Sequence, residues 1–324
     1  TNEDSVRIDR VPPSAYAHAD AYSPTTSFTV FWYGQDAASG IACFDVQYRV
    51  GTAGTWQDWI TCAPLSETSA LFRGATPGKC YHFRARATDR AGNVGTYPSG
   101  PNVSVCVDVV QNGDFEQILG SEWEQRWLAG DGGGSCTPFR DVVPSSMGGN
   151  THAVVLGCPD LETGAPFGAS MVCQTIDVPR ALDWPVPMLR FRYRTYTYDV
   201  VIGPTTGLPY DSFNVGRWPS GQMQPTYVFT DGNQTADWGT LKDLGWREGA
   251  IDLSEYAGQR AKICMANVTR QDSDLNTWTF VDDVRLVNLG YQLFLPSVLG
   301  AARGPGGSQQ VLIKSVTPVT EARR

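Results

Sequence analysis

Histidine is scarce in this 324-residue chain: there are three, His18, His82 and His152, far apart in sequence. No HExxH and no C-x-x-C pair occurs, so the clustered nitrogen and sulfur ligands of a zinc hydrolase are missing. A G-x-S-x-G nucleophile elbow is absent, and so are Walker and dinucleotide glycine patterns; Gly132-Gly133-Gly134 lacks the Lys-Thr and helix that a phosphate cradle needs. Paired carboxylates for glycoside cleavage carry no local signature, and most of the 33 Asp and Glu residues are read as solvated. The chain is therefore not expected to be an enzyme. Charge is low, at 18% of residues, with a net of -8 and dispersed arginines, which disfavours a phosphate backbone as partner. No apolar run approaches the roughly 20 residues of a membrane span, and the polar stretch opening at Thr1 implies that any leader has been removed.

What is abundant is turn and strand chemistry. Gly 34, Pro 21, Trp 10 and Tyr 13 suit short strands joined by tight turns, and the length exceeds one ordinary core. An all-β chain is expected, with domains at 1–109 and 110–289 and a segment at 290–324. The eight cysteines, Cys43, Cys62, Cys80, Cys106, Cys136, Cys158, Cys173 and Cys264, are an even set that reads as disulfides in an oxidising compartment; reduced core cysteines are the alternative.

Alternating segments SFTVFWYG, IACFDVQYRV, TWQDWIT, SALFRG and CYHFRARATD, each closed by a turn residue, predict a β-sandwich before Val109. A turn at Gly51-Thr52-Ala53-Gly54 that pairs Arg49 with Trp56 sets Cys43 opposite Cys62, and a cross-strand disulfide fits there. IDRVPP (Ile8–Pro13), WYGQDAASGI (Trp32–Ile41), FDVQYRVG and YHFRARATDRAGNV (Tyr81–Val94) resemble a bacterial surface variety of the fibronectin type III domain. The resemblance implies that Tyr81 is a corner tyrosine bonded to backbone and that Asp89 braces the turn through Ala91-Gly92-Asn93. The cysteines depart from that family's pattern, which suggests stapling by Cys43–Cys62 and Cys80–Cys106. Cys136–Cys158 and Cys173–Cys264 are assigned by proximity and elimination.

The second segment opens at NGDFE (Asn112–Glu116) and closes at WTFVDDVRLV (Trp278–Val287), with strand candidates between them. NGDFE, YDSFNV, IDLSEYAGQRAKICM (Ile251–Met265) and FVDDVRL resemble MAM-type and carbohydrate-binding β-jelly rolls of bacterial extracellular proteins. The resemblance implies adjacent first and last strands, and a structural Ca²⁺ on some of Asp114, Glu116, Asp282 and Asp283. Alternatively, the Asp pair places one acid in solvent and the other on a loop amide. Tyr196, Tyr198, Tyr210, Trp218 and Trp238 are candidates for a sugar-stacking platform, or else sandwich core. N-x-S/T sequons at Asn102, Asn233 and Asn267 would mark surface glycans only in a eukaryotic secretory route.

YQLFLPSVLG, after Leu289, resembles a segment near the ends of many surface proteins of filamentous thermophilic bacteria, read as an export signal or a packed strand. Beyond the linker Ala301–Ser308, residues 309–320 are strand-like, with Val311, Leu312, Ile313, Val316 and Val319 apolar. They are expected to add to a sheet edge, of their own subunit or a neighbour's; the second case gives self-association into a head-to-tail fibre. Two functions follow: a secreted, cell-surface or matrix structural protein, or a polysaccharide-binding module of a larger secreted hydrolase.

Overall fold

The computed structural model describes residues 8–130, 134–143, 151–159, 161–164, 166–182, 184–202, 210–235, 237–270 and 275–288. The expected tail strand and its apolar residues, Val311, Leu312, Ile313, Val316 and Val319, lie outside the described residues. The chain is all-β and forms two compact units, the first built mainly on residues up to Val109 and the second mainly on Val110–Val178 and Pro187–Leu286. Pro179–Val186 and Val287, which lie within the second segment of sequence, group with the first unit.

The first unit holds β1 (Ser14–His18), β2 (Tyr22–Ser23), β3 (Phe28–Gln35), β4 (Ile41–Val50), β5 (Gln57–Pro64), β6 (Ser69–Phe72), β7 (Cys80–Asp89) and β8 (Val103–Val107). One sheet runs β1-β3-β6 and the other β2-β8-β7-β4-β5. Alternation sends Val30 and Trp32 of β3 inward to meet Phe44, Val46, Phe83 and Ala85 of the facing sheet. Phe28, Phe72, Tyr81 and Phe83 meet there at ring separations of 5.1 to 6.1 Å.

Tyr81 is tied as expected, its hydroxyl accepting the Thr76 N–H at 2.9 Å. Asp89 accepts from the Asn93 N–H and side-chain amide at 2.8 and 2.7 Å. The β4–β5 register needs correction. Tyr48 pairs with Gln57, which agrees with Arg49 beside Trp56, but irregularities between Phe44 and Gln47 slip the ladder until Cys43 faces Pro64. Cys62 sits at φ 50 with its N–H on Asp45 Oδ1, and this bulged conformation still lets it bond Cys43.

The second unit contains β9 (Glu124–Ala129), β10 (Phe139–Val142), β11 (His152–Leu156), β12 (Gly168–Asp177), β13 (Pro187–Thr197), β14 (Ser212–Arg217), β15 (Thr226–Asp231), β16 (Lys242–Asp252), β17 (Arg260–Thr269) and β18 (Thr277–Asn288). They form sheets β10-β11-β18-β13-β16 and β15-β14-β17-β12-β9. β13 alternates strictly between buried and partly exposed positions. Its inward Phe191 and Tyr193 meet Phe213 and Phe229 of the facing sheet at 4.7 to 6.0 Å. Toward one end the interior turns polar: Thr195 bonds Thr279, Thr197 bonds Thr277, and the Asn267 amide donates to the Thr277 carbonyl. The disulfides in the two units are Cys43–Cys62, Cys80–Cys106, Cys136–Cys158 and Cys173–Cys264.

Candidate functional site

The acids of NGDFE and FVDDV mark where the second unit closes. Val284 N–H donates to the Gly113 carbonyl at 2.7 Å, and a Cβ on Gly113 would lie 1.9 Å from the Val284 carbonyl oxygen, so this approach requires glycine. Phe115 is fully buried against Trp123 at 5.2 Å, and Arg140 clamps the Phe115 and Glu116 carbonyls.

Glu116 accepts the Thr151 and His152 N–H groups at 2.6 and 2.9 Å and the Thr151 hydroxyl at 2.8 Å. Burial raises its carboxyl, and those donors outweigh burial and bring it down to about 2. Asp114 Oδ1 accepts the Glu116 N–H, and buried Asp282 accepts the Asp283 N–H at 2.6 Å. Asp283, at φ 51, pairs with Arg285 at 3.3 Å, and burial pushes its carboxyl up. These four acids thus engage backbone amides, a hydroxyl and a guanidinium. The group of three carboxylates that gathers within 4.8 Å among the described residues is Asp9, Asp36 and Asp89, in the first unit, where they brace the turns at Ser39, Gly40 and Asn93.

A richer surface is the outer face of the β10-β11-β18-β13-β16 sheet. With Phe191, Tyr193 and Thr195 turned inward, β13 presents Arg190, Arg192, Arg194 and Tyr196 on its other side. β16 pairs with it, Glu248 opposite Arg192 and, past an irregularity between Arg194 and Tyr196, Asp243 opposite Tyr196. Arg194 forks onto Asp243 through Nε at 2.9 Å and Nη2 at 2.5 Å, while Arg190 and Arg192 share Glu248 at 3.2 and 3.4 Å. The Arg194 hydrogen bonds hold the Asp243 carboxyl below its usual range against the opposing effect of burial.

Beside this ladder lies an aromatic patch. Tyr196 and Trp278 stack at 5.4 Å with an interplanar angle of 8°, Phe280 stands edge-on to Tyr196 at 5.9 Å, and Arg194 lies 5.2 Å over the Tyr196 ring. Trp278 and Phe280 are buried, with Val143, Ala153 and Val155, and partly buried Tyr196, Tyr198 and Trp246 pack over them. Trp238, half exposed, is next to Gly239, whose N–H donates to the Tyr198 carbonyl.

No protein-family model and no curated protein matches this chain. Solved structures do match. The carbohydrate-binding module TmCBM61, solved with β-1,4-galactotriose, shares 16% identity over 56% of this chain and 98% of its own, with a TM-score of 0.33. The K3 cleaved adhesin domain of Lys-gingipain from Porphyromonas gingivalis W83 shares 17% over 55% of this chain and 96% of its own, with a TM-score of 0.34. An α-L-rhamnosidase from Dictyoglumus thermophilum shares 10% over 86% of this chain and 29% of its own, with a TM-score of 0.28.

Of the five aromatics expected as a platform, the structure brings Tyr196 and Tyr198 together and leaves Trp238 on the adjoining loop. Trp218 lies on the opposite sheet, packed over Cys173 and Cys264 with Arg126 and Lys262 against its ring at 4.7 and 4.6 Å. Tyr210 is partly buried, its N–H on the Val201 carbonyl. Sequence reasoning missed Trp246, Trp278, Phe280 and the Arg194–Asp243 fork; the period-two alternation of MLRFRYRTYTYD already separates the arginines from Phe191 and Tyr193. The sequons also need correction. Asn233 and Asn267 are 3% and 1% exposed, with their amides committed to backbone carbonyls, so neither offers a surface nitrogen for a glycan.

Proposed function

We propose that this chain is a non-enzymatic extracellular binding module that holds carbohydrate on the outer face of the β10-β11-β18-β13-β16 sheet. The observation that carries the reading is the Arg194–Asp243 fork set directly against the Tyr196–Trp278 stack. Sugars present apolar C–H faces to aromatic rings and hydroxyls to bidentate polar groups, and this patch supplies both two residues apart along β13, with Tyr196 as the accessible ring backed by buried Trp278. Asp243 is held by the Arg194 guanidinium, which favours an ionised hydrogen-bond acceptor over a protonated general acid. Four disulfides suit an oxidising compartment, and so a secreted or cell-surface protein.

Affinity electrophoresis through gels containing soluble polysaccharides tests the reading. Retardation of the native chain by at least one polymer, lost in Tyr196→Ala and Asp243→Asn, is expected; equal mobility of native and variant chains in every gel contradicts it.

Two finer elements rest on sequence. Strand donation by residues 309–320 to a neighbouring subunit predicts that truncation after Gly300 leaves both units folded and abolishes assembly; unchanged assembly removes the idea. Calcium on Asp114, Glu116, Asp282 and Asp283 predicts a lower melting temperature for the second unit in excess chelator, and an unchanged curve removes it.

A further inference from the structure

In β3 the inward residues are Val30 and Trp32, 0% and 2% exposed, so the same alternation turns Phe31 and Tyr33 outward, at 42% and 53%. β1 adds Tyr16, 50% exposed, directly opposite Tyr33, and His18 opposite Phe31. The rings form two cross-strand pairs, Tyr16–Tyr33 at 5.7 Å and His18–Phe31 at 5.0 Å. Successive pairs are two residues apart along the strands, or about 7 Å. The other outward positions of this sheet are Ser14, Thr29, Gln35, Ser69 and Leu71.

None of these outward positions is Asp, Glu, Lys or Arg, although an exposed sheet face is ordinarily rich in them. Such a face offers rings, hydroxyls and an amide, with no fixed charge to meet one on a partner. Its size also decides between occupants. Three short strands span roughly 250 Å², well under the ~800 Å² per partner of a stable protein interface. A second copy of the chain therefore finds too little to bury, whereas a run of a few sugar rings fits the two aromatic rows.

We infer that the outer face of the β1-β3-β6 sheet is a second binding site, for an uncharged glycan, carried by the first unit and separate from the face proposed above. The chemistry of the two faces differs: the second unit sets an ion-paired fork beside its rings, and the first unit sets hydroxyls, an amide and the His18 imidazole among them, with no Asp, Glu, Lys or Arg.

The test uses the full chain in native gels containing hydroxyethylcellulose or galactomannan as neutral probes, and alginate as an anionic one. The double variant Tyr16→Ala/Tyr33→Ala should lose at least five-fold in apparent affinity for a neutral probe. Tyr33→Trp should keep it, and alginate mobility should not respond to either. These side chains are exposed, so unchanged circular dichroism and disulfide maps will confirm folding. Tyr196→Ala serves as the arm for the other face. If neutral-polymer retardation responds only to Tyr196→Ala, the second-unit reading stands and this one falls. Absence of any neutral retardation overturns it, and so does sedimentation showing a dimer that Tyr16→Ala/Tyr33→Ala dissociates.

Discussion

On β3 the residues that alternation turns away from the core are Thr29, Phe31, Tyr33 and Gln35; on β13 they are Arg190, Arg192, Arg194 and Tyr196. The inward sets are alike, Val30 and Trp32 in one strand and Phe191 and Tyr193 in the other. The two strands therefore solve the same folding problem and differ only where folding leaves them free. Fold follows from the period-two apolar set, and the character of a surface follows from the complementary set that the core does not constrain. The acids teach a similar lesson. Glu116 and Asp282 sit in motifs and accept nearby backbone amides, whereas Asp9, Asp36 and Asp89, far apart in sequence, converge at one corner.

The largest difference between the units should appear on removing their staples. Cys173–Cys264 spans 91 residues and Cys43–Cys62 spans 19; the loop-entropy relation gives about 4.6 and about 3.2 kcal/mol. Chemical denaturation of Cys173→Ser/Cys264→Ser should show the greater loss, confined to the second unit; equal losses from the two double variants would break the contrast.

Next comes Gly113→Ala. The added carbon meets a backbone oxygen at 1.9 Å, so about 2 kcal/mol or more is expected from displacement of the β18 backbone at Val284. Gly92, with open space around its Cβ position, is the matched control in the first unit; there only its positive φ resists substitution, for about 1 kcal/mol.

Glu116 supplies a smaller, pH-dependent effect. Its folded carboxyl titrates near 2, below the unfolded value, so its contribution is complete above about pH 4.5 and is lost as pH falls toward 2. A third of the side chain is exposed, so solvent screening reduces the contribution to about 1 kcal/mol. Glu116→Gln should remove that part of the acid destabilisation measured by urea titration at pH 6 and pH 3. An undiminished pH dependence would show that Glu116 contributes none of it.

The smallest stability effect belongs to Asp243→Asn. Its partner Arg194 is charged throughout, and Asp243 is 40% exposed, so less than about 1 kcal/mol is expected. Loss of sugar binding without loss of stability is what separates a binding role from a structural one.

Much of this architecture was legible. IACFDVQYRV and CYHFRARATD coincide with β4 and β7, and the four disulfide pairs are those expected. The bulge at Cys62 was not, because a residue at φ 50 that redirects one sulfur leaves no mark in a hydrophobic pattern. β16 was missed because KDLGWREGAID is charged and broken by glycine, yet its Asp243 and Glu248 complete the candidate site. Trp218 was grouped with Tyr196 by residue type, and it packs over Cys173 and Cys264 on the sheet opposite the one that carries Tyr196. Residues on one face are found by register, which is fixed by pairing partners distant in sequence.

Binding isotherms of the native chain, Tyr196→Ala and Asp243→Asn against the polysaccharide that retards the native chain most test the central claim most directly. The account predicts at least a ten-fold loss of affinity in each variant with both units still folded. Native affinity in both variants would contradict it.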